Sequence, residues 1–129
     1  MNAKVVAPLL SLVLIPLAAC GGSSGSTTSA PADADVVVRA KDGLRWDRTN
    51  YTASAADGAI KFFGTNDSGL AHNLHIQDAD GNDVGTPIDL PSKGSSGTDE
   101  LTLQPGTYTI VCKIPGHDAT MKASLTITE

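Results

Sequence analysis

The sequence predicts an all-β fold, a Greek-key antiparallel β-sandwich of seven to eight strands. Short β-branched runs recur between clusters of Gly, Pro, Asn and Asp throughout residues 35–129. No window of this region repeats its apolar residues with the period of a helix. Short strands separated by turn residues at this spacing are typical of β-sandwiches.

Seven segments carry the strand pattern. The candidate strands are residues 36–40, 50–53, 60–65, 72–77, 98–103, 107–112 and 122–128. One turn supports the assignment, because Tyr108 follows Pro105-Gly106 near the start of a strand. Sandwich folds place there a tyrosine corner, whose hydroxyl bonds to the nearby backbone.

The N-terminus has the layout of an export signal. Residues 1–19 contain one Lys near the start, then an apolar run that Pro8 and Pro16 interrupt, and they end in small residues before Cys20. This predicts a signal peptide rather than a transmembrane helix. The ending LAAC resembles the bacterial lipobox, so we expect an exported protein with lipid on Cys20, held at the extracytoplasmic face of the cell membrane. The alternative is an ordinary signal cleaved before an unmodified Cys20.

Composition divides the rest of the chain into a tether and one domain. Residues 20–34, Cys20 followed by GGSSGSTTSAPADA, offer almost nothing to bury and predict a flexible linker. Residues 35–129 then form a single small domain, which we expect to be monomeric. Cleavage of the predicted signal peptide would remove Lys4. The mature chain would then have eight of the nine basic residues and all fourteen acidic residues. This acidic balance disfavours nucleic acid as a partner.

The stretch VCKIPGHDATMKA places Cys112, His117 and Met121 between two apolar runs. If Cys20 carries lipid, Cys112 has no cysteine partner, and a free thiol outside the cell oxidises unless it is used or shielded. Thiolate, imidazole and thioether are donors of graded softness. Two histidines, one cysteine and a weak methionine make up the blue-copper electron-transfer site.

A second histidine must come from His72 or His75, which lie on one predicted strand. Side chains alternate faces along a strand, so His72 shares the apolar face of Leu74 and Ile76 and points inward, whereas His75 points outward. The two therefore cannot bind one ion on a regular strand. The alternative for His72 is a core histidine without a metal.

The segments NDSGLAHN and CKIPGHDATM together resemble the cupredoxins, a family of small blue copper proteins. The order Cys112-x₄-His117-x₃-Met121 is most similar to that of azurin. The resemblance covers about residues 36–129. It implies one copper ion with His72, Cys112 and His117 as equatorial ligands and Met121 as the long axial ligand.

The resemblance also implies roles around the metal. Asn73 follows the first histidine and would tie the two ligand loops together. Lys113 stands where relatives often carry a small hydroxyl residue, so we expect no side-chain bond from Asn73 to it. An apolar collar where electrons would leave through His117 consists of Leu70, Ala71, Ile114, Pro115 and Gly116.

These features predict a carrier of single electrons between membrane-associated redox proteins, such as a cytochrome, a terminal oxidase or a reductase. We expect no enzyme activity, because four protein donors leave no position for a substrate. The alternative is a lipoprotein that binds or delivers copper without an electron-transfer role. A metal-free adhesion module would require four donors to be placed together by coincidence.

Overall fold

The computed structural model describes residues 28–129, which form nine β-strands and no helix. The strands are β1 (Val36–Lys41), β2 (Arg45–Trp46), β3 (Asn50–Ser54), β4 (Ile60–Asn66), β5 (His72–Gln77), β6 (Asp83–Leu90), β7 (Ser96–Leu101), β8 (Gly106–Val111) and β9 (Lys122–Thr128). They build one four-stranded sheet, in the order β2-β1-β4-β7, and one five-stranded sheet, in the order β3-β9-β8-β5-β6. The prediction of an all-β sandwich is confirmed. Within residues 28–129 no helix is long and apolar enough to cross a membrane.

Both sheets are mixed, which corrects the expectation of wholly antiparallel pairing. β1 pairs in parallel with β4, and β3 pairs in parallel with β9, whereas the other pairs are antiparallel. Two strands also go beyond the seven predicted segments. β2 has only two residues, and β6 contains Gly85 and Pro87 and is exposed over most of its length. Its position at a sheet edge explains why proline is tolerated there.

The sheets pack through the inward residues of alternating strands. β1 and β5 alternate buried and half-buried positions along their whole length. Tyr108 forms the predicted corner, since its hydroxyl donates to the Gln104 carbonyl at 3.0 Å. The core consists mainly of aliphatic and aromatic residues, among them Val38, Trp46, Ile60, Phe62, Leu74, Leu90, Ile110 and Leu125, and it includes Cys112 and Met121.

Residues before β1 contact the sandwich. The Thr28 hydroxyl donates to the Gly94 carbonyl at 2.9 Å, and the Lys61 ammonium lies 2.6 Å from an Asp33 carboxylate oxygen. The predicted signal peptide, Cys20 and the start of the predicted linker lie outside the described residues. The domain boundaries at residues 19/20 and 34/35 therefore stay predictions.

Candidate metal centre

Strand pairing brings the ligand candidates to one end of the five-stranded sheet. β8 runs antiparallel to both β5 and β9, so the end of β8 lies beside the start of each neighbour. His72 is the first residue of β5, Cys112 directly follows β8, and Met121 directly precedes β9. Residues distant in sequence thus meet at one edge, while His117 comes from the loop between β8 and β9.

Three donor atoms form a compact triangle. The Nδ1 atoms of His72 and His117 lie 3.3 Å apart, and Cys112 Sγ lies 3.7 Å from His117 Nδ1. All three donors lie within 4.8 Å of one another. A trigonal ion with metal–nitrogen bonds of about 2.0 Å and a metal–sulfur bond of about 2.3 Å needs separations of about 3.5 Å and 3.7 Å. The donors are therefore spaced for one first-row transition metal.

Burial differs between the two histidines, and it prepares His72 for metal binding. His72 is 2% exposed and Cys112 fully buried, whereas His117 is half-buried. Burial lowers the pKa of His72 below its ordinary value, and the neighbouring His117 lowers this pKa further. A depressed pKa keeps the imidazole neutral, the form that binds a metal.

Met121 completes the donor set by position. Its side chain is fully buried, its N–H donates to the His117 carbonyl at 2.9 Å, and its carbonyl accepts from the Cys112 N–H at 3.1 Å. The Trp46 indole N–H also donates to the Met121 carbonyl at 3.1 Å, and its ring lies 6.5 Å from the His72 ring, between centroids. Sequence reasoning did not single out Trp46.

The ligand loop begins with a tight turn that presents His117. The His117 N–H donates to the Ile114 carbonyl at 2.9 Å, and Gly116 at the third turn position has φ +85°. Proline at the second position and glycine at the third are typical of a type II turn, because the third residue needs positive φ. The Thr120 hydroxyl then ties the loop to the Leu44 carbonyl at 2.7 Å.

Asn73 joins the two ligand segments. Its side-chain oxygen accepts from the backbone N–H of Lys113 at 2.7 Å. The bond goes to the backbone, so replacing a small hydroxyl residue by Lys113 leaves this link in place. The Lys113 ammonium instead pairs with Asp83 at 2.6 Å, which also lies 2.9 Å from His75 Nδ1. His75 is thus outside the triangle, on the other face of β5, as the strand alternation predicts.

The predicted apolar collar comes from the residues just before His72 and from the turn just before His117. Leu70, Ala71, Pro115 and Gly116 are exposed, and Ile114 is half-buried against the core. Leu70 is 53% exposed and is the one large hydrophobic residue among residues 28–129 with such exposure. The structure therefore places these five residues at the surface of the site end.

Two further residues beside the candidate metal centre were not predicted from the sequence. Asn66 and Ser68 are buried, and the Ser68 hydroxyl lies 2.7 Å from His72 Nε2. Both belong to the NDSGLAHN segment, whose run of polar residues at a strand end was the available signal.

The fold matches that of known small proteins. Azurin (Az-iso2) from the obligate methylotroph Methylomonas sp. strain J is 17% identical with a TM-score of 0.61, and the match covers 76% of this chain and all of that one. Auracyanin B is 24% identical with a TM-score of 0.63, over 81% of this chain and 96% of that one. No protein-family model and no curated protein matches the chain. The domain formed by residues 28–129 has the cupredoxin fold, as the sequence motifs predicted.

Proposed function

We propose that this protein is a small blue copper protein that carries single electrons. The observation that carries the proposal is the triangle of two imidazole nitrogens and one thiol sulfur at one end of a cupredoxin fold, with His72 and Cys112 buried and His117 half-buried. In the proposal His72, Cys112 and His117 hold one copper ion, and Met121 is a weak fourth ligand.

The donor set favours copper over other metals. Carboxylates, which suit Mg²⁺, Ca²⁺ and Mn²⁺, are absent from the three-residue cluster. A thiolate, two imidazoles and a thioether match the blue-copper set, and bound copper would supply a Cu(II)/Cu(I) couple. The protein's part is to hold these ligands still, and the hydrogen bonds of Asn73 and Met121 supply that rigidity.

The site suits a carrier better than a catalyst. Four protein donors leave no position for a substrate, which catalytic metal centres need. Among residues 28–129 His72, Cys112 and His117 form the one cluster of at least three His, Cys, Asp or Glu side chains with metal-binding spacing. We therefore infer a single redox centre and no enzymatic activity of its own.

Electrons would leave through the collar beside His117. Its Nδ1 faces the other donors, so Nε2 lies on the opposite side of the ring. Exposed Leu70, two residues before His72, and exposed Pro115, two residues before His117, offer apolar surface at this end of the domain. A small apolar patch on an otherwise polar domain suits a brief encounter with a redox protein. We propose a cytochrome, a terminal oxidase or a reductase as the partner of a monomeric carrier.

We also propose that the protein is exported and held at the membrane by lipid on Cys20. The Thr28 hydroxyl bonds to the Gly94 carbonyl, and the Gly94 N–H bonds to the Asn66 carbonyl, so the chain enters the domain at the site end. Even a fully extended chain from Cys20 to Thr28 spans at most about 29 Å. A lipid on Cys20 would thus hold the copper end near the membrane surface, where membrane-bound partners lie.

Copper delivery with the same ligands is the competing function, and one experiment separates the two. The copper-loaded protein is cycled between ascorbate and ferricyanide beside a Cu(I) chelator of high affinity. An electron carrier should keep its copper through many cycles with a reversible one-electron response. Quantitative release of copper to the chelator after each reduction would favour delivery and overturn the electron-transfer proposal.

A further inference from the structure

The buried polar residues of the domain are concentrated in one short segment. Within residues 28–129 the buried polar or charged residues are Thr65 and Asn66 at the end of β4, Ser68 in the following loop and His72 at the start of β5. Burying polar groups destabilises a protein unless they are hydrogen-bonded. These buried groups beside His72 must therefore be hydrogen-bonded to one another or to the backbone.

Asn66 fixes the orientation of the network. Its side-chain amide nitrogen lies 2.6 Å from the Leu70 carbonyl and 3.0 Å from the Leu90 carbonyl, and both carbonyls can only accept. The amide nitrogen therefore faces them, and Oδ1 faces Ser68. There Oδ1 lies 2.9 Å from the Ser68 backbone nitrogen and 2.9 Å from its hydroxyl oxygen.

The Ser68 hydroxyl has one hydrogen to donate. Two of its neighbours, Asn66 Oδ1 at 2.9 Å and the Leu70 carbonyl at 3.3 Å, are acceptors that carry no hydrogen. The Leu70 N–H donates to the hydroxyl oxygen at 3.2 Å. When the hydroxyl hydrogen goes to one of the two acceptors, the oxygen can only accept from His72 Nε2, 2.7 Å away.

We propose that Ser68 is a positioning residue that holds His72 as the Nε2–H tautomer. The Nε2–H donates to the Ser68 hydroxyl, so the lone pair of Nδ1 is left toward Cys112 and His117. The geometry agrees, because His72 Nδ1 is the atom 3.3 Å from His117 Nδ1. The consequence for copper rests on the proposed function, whereas the tautomer itself does not require any metal.

Removing the hydroxyl should weaken metal binding. In Ser68→Ala the buried Nε2–H loses its partner, the ring is free to change tautomer or tilt, and Nδ1 becomes less basic. Loss of a partner that orients a metal-binding histidine typically lowers metal affinity about 10- to 100-fold. Ser68→Thr keeps a hydroxyl at the same position and should restore most of that affinity.

Nitrogen-15 NMR of the histidine rings in the metal-free protein tests the tautomer directly. We expect the wild-type His72 signals of an Nε2–H imidazole, and a changed tautomer population in Ser68→Ala. Observation of His72 as Nδ1–H in the wild type would overturn the proposal. This outcome is independent of copper, so it would leave the electron-carrier proposal standing.

Zn(II) binding to the same proteins gives a second, redox-independent measurement. Ser68→Ala should bind Zn(II) about 10- to 100-fold more weakly than the wild type. Ser124→Ala is the matched control, because the Ser124 hydroxyl bonds to the Asn50 side chain on β3 and contacts none of the ligand candidates. Unchanged Zn(II) affinity and tautomer in Ser68→Ala, with only lower stability, would reduce Ser68 to a structural residue.

Discussion

The two loops that bear the ligand candidates are built in opposite ways. The loop between β4 and β5 is held by side chains, since Asn66 and Ser68 are buried and bond to its backbone and to His72. The loop from Cys112 to Met121 is held mainly by backbone turns, and most of its residues between those two are exposed. One loop is an inner wall and the other an outer wall of the same site.

The difference separates two tasks that one site must perform. His72, in the inner wall, cannot move without breaking its buried contact with Ser68, so in the proposed copper site it would set the geometry. His117, in the outer wall, is half-buried, so in that site it would be the contact with the outside. Cys112 and Met121 lie at the two ends of the outer loop. The Cys112 N–H donates to the Met121 carbonyl at 3.1 Å, and this backbone hydrogen bond holds the two ends together.

The largest effect should follow from breaking the inner wall. Asn66→Ala leaves the Leu90 carbonyl and the Ser68 N–H without their partner, and the Leu70 carbonyl keeps only the longer contact with the Ser68 hydroxyl. Leaving a buried polar group unpaired costs about 1–3 kcal/mol, so two such groups predict a loss of about 2–6 kcal/mol in the free energy of unfolding. Urea denaturation measures it. Asn82→Ala, in an exposed turn, is the control and should change stability by less than about 0.5 kcal/mol.

Changing the outer wall should affect electron exchange and leave the fold intact. Ile114→Glu puts a negative charge in the apolar collar of an already acidic protein. We expect an almost unchanged absorption spectrum and about tenfold slower self-exchange of electrons, because like charges disfavour the encounter. NMR line broadening in mixtures of the two redox states measures the rate. Thr126→Glu is the control, because it adds the same charge at an exposed position of β9 away from the site. Equally slow self-exchange in Thr126→Glu would contradict this exit route.

Met121 ends the outer wall and is fully buried, and its replacement should shift the reduction potential. Glutamine offers an oxygen donor that favours Cu(II), and leucine offers no donor. Met121→Gln should lower the potential and Met121→Leu should raise it, each by about 60 mV, which is about tenfold in a one-electron equilibrium. Voltammetry of the three copper-loaded proteins measures this. An identical potential in all three would make Met121 an ordinary core residue.

The smallest effect is expected on the outer loop's surface anchor. The hydrogen bond from the Lys113 ammonium lowers the pKa of Asp83 from 3.8 to about 2, and hydrogen bonds from His75 and Gln77 make smaller contributions in the same direction. A lowered pKa stabilises the fold above about pH 4, and this contribution disappears as the pH falls toward 2. Asp83 is partly exposed, so Asp83→Asn should lose roughly 0.5–1 kcal/mol at pH 7 and nothing near pH 2. Unfolding measured across this range would contradict the prediction if the difference persisted in acid.

Sequence predicted those parts of the fold in which one strand face is buried. β1, β5 and β9 alternate in burial, so their positions followed from the pattern, and so did the opposite directions of His72 and His75. β6 could not be found, because Gly85 and Pro87 interrupt it and solvent covers most of it. Parallel pairing of β1 with β4 depends on how the chain crosses between sheets, which no local pattern encodes.

The candidate site also contains residues that the sequence predicted and residues that it did not. Donor chemistry pointed to His72, Cys112, His117 and Met121, and the structure brings the first three within 4.8 Å. Their role as metal ligands stays a prediction. Ser68 and Asn66 were missed because hydrogen bonds within an irregular loop have no period along the chain. The backbone bond from Lys113 to Asn73 was missed because side-chain identity does not determine it.

The visible spectrum of the protein after addition of one equivalent of Cu(II) tests whether the donor triangle forms a blue copper site. We expect an intense absorption band and a blue colour from charge transfer between the Cys112 thiolate and Cu(II). The band should be absent in Cys112→Ser, because a hydroxyl cannot replace the soft thiolate. His75→Ala should keep the band, since His75 lies outside the donor triangle. Tight copper binding without colour, or loss of the band in His75→Ala, would contradict the account.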